Sequence, residues 1–349
     1  MAKIIPIDGS QGEGGGQILR TSVGLAAAFG VGVRVTNIRS KRPKPGLRAQ
    51  HLAAVRAAAA VCNGTLSGDT IGSAEVSLIP GPLRQGQFAF DIGTAGSALL
   101  VCQTILPALM LADADSDVTV RGGTHNPLAP CFEYVRDVFA VLASTANCQV
   151  YFELDRAGFH PAGGGQVRMA VTGLGGREGV EPIRLTSRGD LKYIEGVSAA
   201  GGTSSADVAE RLGRHIVARL AEAEHRPSIE QAALESDSPG AVAFLRAVFA
   251  RTVAGAMSLS GPDRFGDVVA DDAVDAMLAF VDSAGVVDCH AADQLLPIAA
   301  LCLDESRFVT ERVTRHLRTN AAVIQQLTGR TVTIAPGPDG AATVTVPAV

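Results

Sequence analysis

The chain has no tryptophan, only three tyrosines, and 4% aromatic residues overall. That is too few rings for the extended stacking platforms that coat single-stranded nucleic acid. Its six cysteines, at 62, 102, 131, 148, 289 and 302, form no CxxC pair, and no Cys/His group has zinc spacing. The common structural zinc modules are thereby excluded. The cysteines lie in apolar runs such as Val101-Cys102 and Leu301-Cys302, which reads as buried free thiols. Long hydrophobic runs are also lacking. The longest, Ala98 to Ala112, is interrupted by Gln103 and Pro107 and reads as a core helix, not a membrane span. Residues Met1 to Asp8 turn polar too early for a secretory leader, so a cytoplasmic setting without a membrane partner is expected.

What is present is a core. The 349 residues are 47% hydrophobic and 19% charged, a globular composition long enough for two or three domains. The net charge of −5, taken as an average, argues against a polyanionic partner, but its distribution is uneven. Residues 1–60 hold nine basic side chains and two acidic ones, a local +7 against −12 elsewhere. Such a cluster on an acidic protein marks one polyanion site, not a general basic coat.

The order of elements repeats. A strand over 3–8, a glycine turn over 12–16, a helix over 17–29, a strand over 31–38 and a helix over 49–61 are followed by β-rich runs at 64–66 and 75–79. The same order returns with strands at 88–92 and 117–121, helices at 97–112 and 131–143, and strands at 150–153 and 166–171. A third, split unit uses strands at 183–187 and 307–313, helices at 291–303 and 317–327, and strands at 330–334 and 342–346. Between its parts lie a helix over 205–223 and a β-rich stretch over 241–259. The reading is an α/β (α+β) fold: three βαβαββ units in a pseudo-threefold large domain with a small inserted α/β domain. The boundaries are 1–184 for units one and two, 185–280 for the insert, and 281–349 for the rest of unit three.

Five segments could carry chemistry. Gln11 to Arg20 places four glycines between strand and helix, where backbone amides approach an anion and Glu13 could hold a divalent cation. It is neither a Walker A loop nor a dinucleotide fingerprint, and a tight turn with an exposed carboxylate is the alternative. Arg39 to His51 packs five basic residues into ten positions of a proline-stiffened loop, with Gln50 and His51 opening a helix. Phe159 to Val167 reads as a structural bend. His290 to Pro297 puts Asp293 and Gln294 in a first helical turn, where an aspartate often only offsets the dipole. Thr314 to Asn320 sets His316 at a strand–helix junction, with Arg315 and Arg318 as cations that would keep its imidazole neutral and nucleophilic; a polar surface residue is the alternative.

Together these segments resemble the RNA 3′-terminal phosphate cyclases. The matching runs are Asp8-Gly9 through Arg20, Ile38-Arg39 with Lys44-Pro45-Gly46-Leu47, Gln50-His51-Leu52, Ile92 to Ser97, Gln103 to Pro107, Gly122-Gly123-Thr124, Pro161 to Gly165, Ala292 to Leu295, and His316-Leu317 with Thr319-Asn320. The resemblance implies an ATP-dependent enzyme that turns an RNA 3′-phosphate end into a 2′,3′-cyclic phosphate, with Mg²⁺ or Mn²⁺. It implies His316 as the nucleophile that carries AMP. Nucleotide contacts then fall on Gln103, His290, Ala291, Ala292, Asp293 and Gln294. Phosphate- and metal-handling roles fall on Glu13, Arg20, Arg39, Arg42, Gln50 and His51, with Glu13 as the metal ligand. Ala157, His290, His125 and Cys131 depart from the family pattern. Two other readings are a non-catalytic ribosome-biogenesis factor of the same fold, which needs no His316, and an enolpyruvyl-transferase-like enzyme, which ATP would not label.

Overall fold

The computed structural model describes residues 4–261 and 264–349. Lys3, the start of the expected first strand, lies outside the described residues. The chain builds a mixed α/β fold with four mixed four-stranded sheets among the described residues.

The first sheet comes from β1 (Ile4–Asp8), β2 (Gly32–Thr36), β3 (Thr65–Ser67) and β4 (Val76–Ile79), with helices α1 (Gly16–Phe29) and α2 (Ala49–Val61) between them. α1 stops because Gly30 adopts the left-handed conformation (φ 66°), the usual C-terminal stop. α2 starts after Arg48, which is extended and follows the proline-stiffened loop. The second sheet uses β5 (Gly86–Asp91), then α3 (Ala98–Met110), and β6 (Ser116–Gly122). Short turns α4 (Phe132–Tyr134) and α5 (Ala140–Ala143) precede β7 (Val150–Arg156) and β8 (Gly165–Val171). α3 is apolar nearly all round and buried along its length, as its composition requires. Ser97 caps it by accepting from the Leu100 N–H at 3.3 Å.

The single helix expected at 131–143 differs. A π-helical turn, Val135–Phe139, separates α4 from α5. The extra residue brings Phe132, Tyr134, Val135, Val138 and Phe139 all into the core, more than one stripe of a regular helix would place there.

β9 (Arg184–Leu185) runs to β10 (Leu191–Gly201), α6 (Ser205–Glu222), β11 (Ser228–Leu234), β12 (Gly240–Phe249), β13 (Val253–Leu259) and α7 (Asp267–Asp282). The β-rich stretch at 241–259 is thus two antiparallel strands. β10, β11 and α7 are further elements that the sequence reading lacks, although the buried residues of α7, Val269, Ala270, Ala273, Val274, Met277 and Phe280, recur at helical spacing. α6 and α7 cover the β11-β10-β12-β13 sheet, with Ile194, Leu212, Ile216, Leu245 and Met277 in their shared core. α8 (Cys289–Ala299), β14 (Ser306–Thr310), α9 (Arg315–Thr328), β15 (Thr333–Pro336) and β16 (Ala342–Val346) complete the chain.

Three sheets share one plan. In each, the first two strands are parallel (β1 with β2, β5 with β6, β9 with β14). The second strand then pairs antiparallel with the last, and the last with the third. One continuous core joins all three, from Leu19 and Val55 through Leu99 and Val120 to Leu295 and Ile324. All six cysteines are buried free thiols. Among the described residues no helix is long and apolar enough to cross a membrane.

Candidate functional site

Four helices converge on one cavity of about 670 Å³. α1 contributes Gln17 and Arg20, α3 contributes Gln103, α8 contributes His290, Asp293 and Gln294, and α9 contributes His316. Its other walls are mostly apolar, with Ser258 and Arg264 as polar exceptions. They come from the loop Pro127–Pro130, from Phe139 of the π turn, and from Met257 and Leu259 of β13. A polar end with cations and a histidine beside an apolar end suits a ligand with an anionic part and a flat ring.

The polar end is fixed by hydrogen bonds between α1 and the α8–α9 pair. Asn320, fully buried, accepts from Thr21 Oγ1 (2.7 Å) and Gln17 Nε2 (3.3 Å) and donates to the Asp293 carbonyl (2.7 Å). Gln17 Oε1 in turn accepts from Arg20 Nη2 at 2.7 Å, aiming the guanidinium. Thr314 caps α9 by accepting from the Leu317 N–H (2.9 Å) and donates to Asp293 Oδ1 (2.5 Å). His316, the second residue of α9, is therefore held by a helix start locked to α8. Gln103 Nε2 donates to Gln294 Oε1 at 2.6 Å, closing the α3–α8 side.

The glycine loop lies against this end. Glu13 N–H donates to Thr319 Oγ1 at 3.2 Å, placing the loop on the first turns of α9. A Cβ on Gly15 would come 2.3 Å from Glu13 Oε2 and 2.7 Å from Arg42 Nη2. One on Gly16 would come 2.4 Å from His51 Nε2 and 2.7 Å from Arg20 Nη1. The loop's glycines thus leave the space into which four charged or polar side chains turn, a cradle for an anion at the start of α1. Glu13 accepts from Arg42 Nη2 (2.7 Å) and from the Gln17 N–H (3.0 Å).

Burial and neighbouring cations set the charge states. Burial lowers the Arg20 guanidinium to about 10, against the pull of Glu13. Burial first, and then Arg20, Arg39 and Arg48, lower His51 to about 3, so it is neutral at pH 7. His316 is lowered chiefly by burial, with Arg20, His290 and Arg42 adding to it and Glu13 opposing. The cations expected to do this, Arg315 and Arg318, are exposed, as His316 itself is, and are not its principal charged neighbours. Burial raises Asp293 to about 7.

Several expected site residues do other work. Gln50 Oε1 accepts from the Ser97 N–H (2.8 Å), tying α2 to the turn before α3, and does not line the cavity. Arg39 Nη1 donates to the carbonyls of Lys44 (2.6 Å) and Gly46 (3.0 Å), stiffening its own loop. Ala291 and Ala292 face the core with no exposed surface. Asp293 is the fifth residue of α8, so the dipole reading fails; Asp288 caps that helix instead. The Phe159–Val167 bend is closely packed and lines no part of this cavity. Its Gly165 packs on Gly158, where a Cβ would come 2.6 Å from the Gly158 N, and Arg156 pairs with Asp237 at 2.6 Å. His125 is buried against Glu133, 3.0 Å from its carboxylate.

Sequence reasoning missed Gln17, Thr21, Thr314 and Asn320 as positioning groups. The i, i+4 spacing of Gln17 and Thr21 on α1 was the available signal. It also missed the contribution of β13 and Arg264 to the cavity, for which sequence offers none. Among the described residues no three His, Cys, Asp or Glu side chains form a group that could hold a metal ion.

A family model described as RNA 3′-terminal phosphate cyclase matches residues 11–334. A protein of that name from Methylococcus capsulatus is 42% identical over 330 residues, covering 93% of this chain and 91% of its own length. One from Trichormus variabilis is 39% identical over 330 residues, with 93% and 94% covered. An archaeal one, from Archaeoglobus fulgidus, is 37% identical over 329 residues, with 94% and 97% covered.

Proposed function

From the premise that this chain belongs to the RNA 3′-terminal phosphate cyclase family, we propose that it is an ATP-dependent cyclase of RNA 3′-phosphate ends. The observation that carries the reading is the meeting of His316 with Arg20, Gln103, His290, Asp293 and Gln294 in one cavity beside the glycine loop. We also read the three like-ordered sheets as βαβαββ units about a pseudo-threefold axis, with 185–280 as the inserted domain between 1–184 and 281–349. Six buried free thiols fit a reducing, cytoplasmic compartment.

The adenine fits the apolar end and the triphosphate the cradle of Arg20, Arg42, His51 and the α1 N-terminus. The neutral imidazole of His316 attacks the α-phosphorus, forming an N–P bond as the bond to pyrophosphate breaks. An oxygen of the RNA 3′-phosphate then takes the adenylyl group and frees His316. Attack of the adjacent 2′-oxygen on the activated 3′-phosphorus closes the ring, expels AMP and releases the hydroxyl proton. A divalent cation would be held by Glu13 together with the phosphate oxygens of the substrate, since among the described residues Glu13 has no acidic partners to complete a cage. It would supply charge neutralisation, and Arg42, now paired with Glu13, would turn to the phosphates.

The His316 nucleophile separates this reading from a non-catalytic factor, and adenylylation separates it from an enolpyruvyl transferase. Incubation with α-labelled ATP and Mg²⁺ or Mn²⁺ should give acid-labile, hydroxylamine-resistant label on the wild-type chain and none on His316→Ala. RNA with a 3′-phosphate should become phosphatase-resistant. Equal label on both proteins refutes the mechanism, and no cyclisation by the wild type refutes the activity.

A further inference from the structure

Three of the cavity's walls, from α8, from residues 127–139 and from β13, are tied together by one buried carboxylate. Asp288, 3% exposed, precedes α8. Its Oδ1 accepts from the His290 N–H (3.1 Å), the Ala291 N–H (2.9 Å) and the Tyr134 hydroxyl. Its Oδ2 accepts from the Gly255 N–H at 3.0 Å. The four donors belong to three walls, two of them to α8. α8 carries His290, Asp293 and Gln294 into the cavity. Tyr134 stands between the Pro127–Pro130 loop and Phe139, which line a second wall. Gly255 is in β13, two residues before Met257, Ser258 and Leu259 of the third.

The packing around these bonds leaves no slack. A Cβ on Gly255 would come 2.7 Å from Tyr134 Cε2 and 2.8 Å from Val138 Cγ2, so glycine alone fits there. The Tyr134 ring meets His290 edge-on, with centroids 6.4 Å apart at 88°, and Phe244 of β12 at 6.4 Å and 84°. Hydrogen bonds to a buried carboxylate are among the stronger ones, and each fixes its donor closely.

We propose that Asp288, with Tyr134 and Gly255, sets the spacing of these three walls, so that the inserted sheet is a working wall of the nucleotide site and not an appendage. Asp288 and Tyr134 are then positioning residues: they touch no reacting atom but fix His290, Asp293, Gln294 and the β13 surface around the base. The inference rests on the reading of the cavity as the ATP site.

The test uses the full chain and Tyr134→Phe, which keeps the ring and deletes one donor. Equilibrium binding of ATP and of CTP, turnover of 3′-phosphorylated RNA at varied ATP, and hydrogen exchange over 253–259 are measured. The variant should lose about tenfold in ATP affinity, and its preference for ATP over CTP should narrow, while kcat at saturating ATP stays within about twofold. Bound ATP should protect 253–259 in the wild type and protect it less in the variant. A folded Tyr134→Phe protein with wild-type ATP affinity and preference overturns the proposal alone. So does a wild type that binds ATP without added protection of β13. A wild type that binds no ATP removes the nucleotide reading and this proposal with it. Asp288→Asn, if it folds, should shift the same quantities further in the same direction.

Discussion

Asp293→Asn should stabilise the protein, and more so as pH rises. Asp293 is buried in α8, and burial lifts its carboxyl from the ordinary 3.8 to about 7. The folded chain therefore holds a proton that the unfolded chain has released, and stability falls as pH rises from 3.8 to about 7. The whole interval corresponds to roughly 4 kcal/mol at about 1.36 kcal/mol per pH unit. About 2 kcal/mol of that loss is already present at pH 5.5, and a further ~2 kcal/mol arrives by pH 8. Asparagine keeps the oxygen that accepts from Thr314 Oγ1 and has no charge to bury. Its advantage over aspartate should therefore grow by about 2 kcal/mol between those pH values. Urea denaturation of both proteins at pH 5.5 and 8 measures it. The comparison across pH cancels any fixed difference between the two side chains. A stability difference that stays constant within ~0.5 kcal/mol over that window would falsify the raised pKa.

Three further outcomes follow from the site's geometry. Because burial and neighbouring cations lower His316, adenylylation should stay level as pH falls through 6.5, with its acid limb below that value; a midpoint at or above 6.5 in the rate of label transfer refutes the environment described. Gly16→Ala places a Cβ between His51 and Arg20, so cyclisation should fall by at least about tenfold while Tm changes little; wild-type activity would show that the cradle has room to spare. Asn320→Ala removes three hydrogen bonds linking α1 to α8 and α9 and should cost about 2–4 kcal/mol by chemical denaturation. A loss under ~0.5 kcal/mol would mean that the network does not hold these helices together.

Much of this was legible in the sequence because it depends on local chemistry. Helix α2 begins and ends at the expected residues, since a proline-stiffened loop and an alanine-rich run leave few alternatives. The glycines between β1 and α1 mark a turn that such residues make well, with Gly12 and Gly14 both at positive φ. What could not be read depends on contacts between distant segments. Gln50 looked like a phosphate ligand because polar residues at a helix start often are, but its partner is the Ser97 amide of the next unit. The π turn follows from how many apolar side chains the core accepts near 132–139, not from periodicity. Asp288 caps α8, and two of its donors, Tyr134 and Gly255, are set by tertiary packing that no local pattern announces.

The early clustering of positive charge takes on a more specific meaning in the fold. Its members are not equivalent. Lys41, Arg42, Lys44 and Arg48 are exposed on the loop before α2, whereas Arg20 lies at the buried end of the cavity with its guanidinium lowered by burial. Arg39 joins them by fastening the loop's own carbonyls. An outer set of cations in water attracts a polyanion over several ångströms but is weakened by salt. An inner cation, aimed by Gln17 and desolvated, acts at short range where screening is poor. Approach of an RNA end should therefore depend strongly on ionic strength, while the chemical step beside Arg20 should not. Raising salt would raise KM for RNA and leave kcat nearly level, and neutralising Arg42 or Lys44 would flatten the first dependence without creating the second. If kcat falls with salt as steeply as RNA binding does, the inner and outer cations are not separated in the way the fold places them.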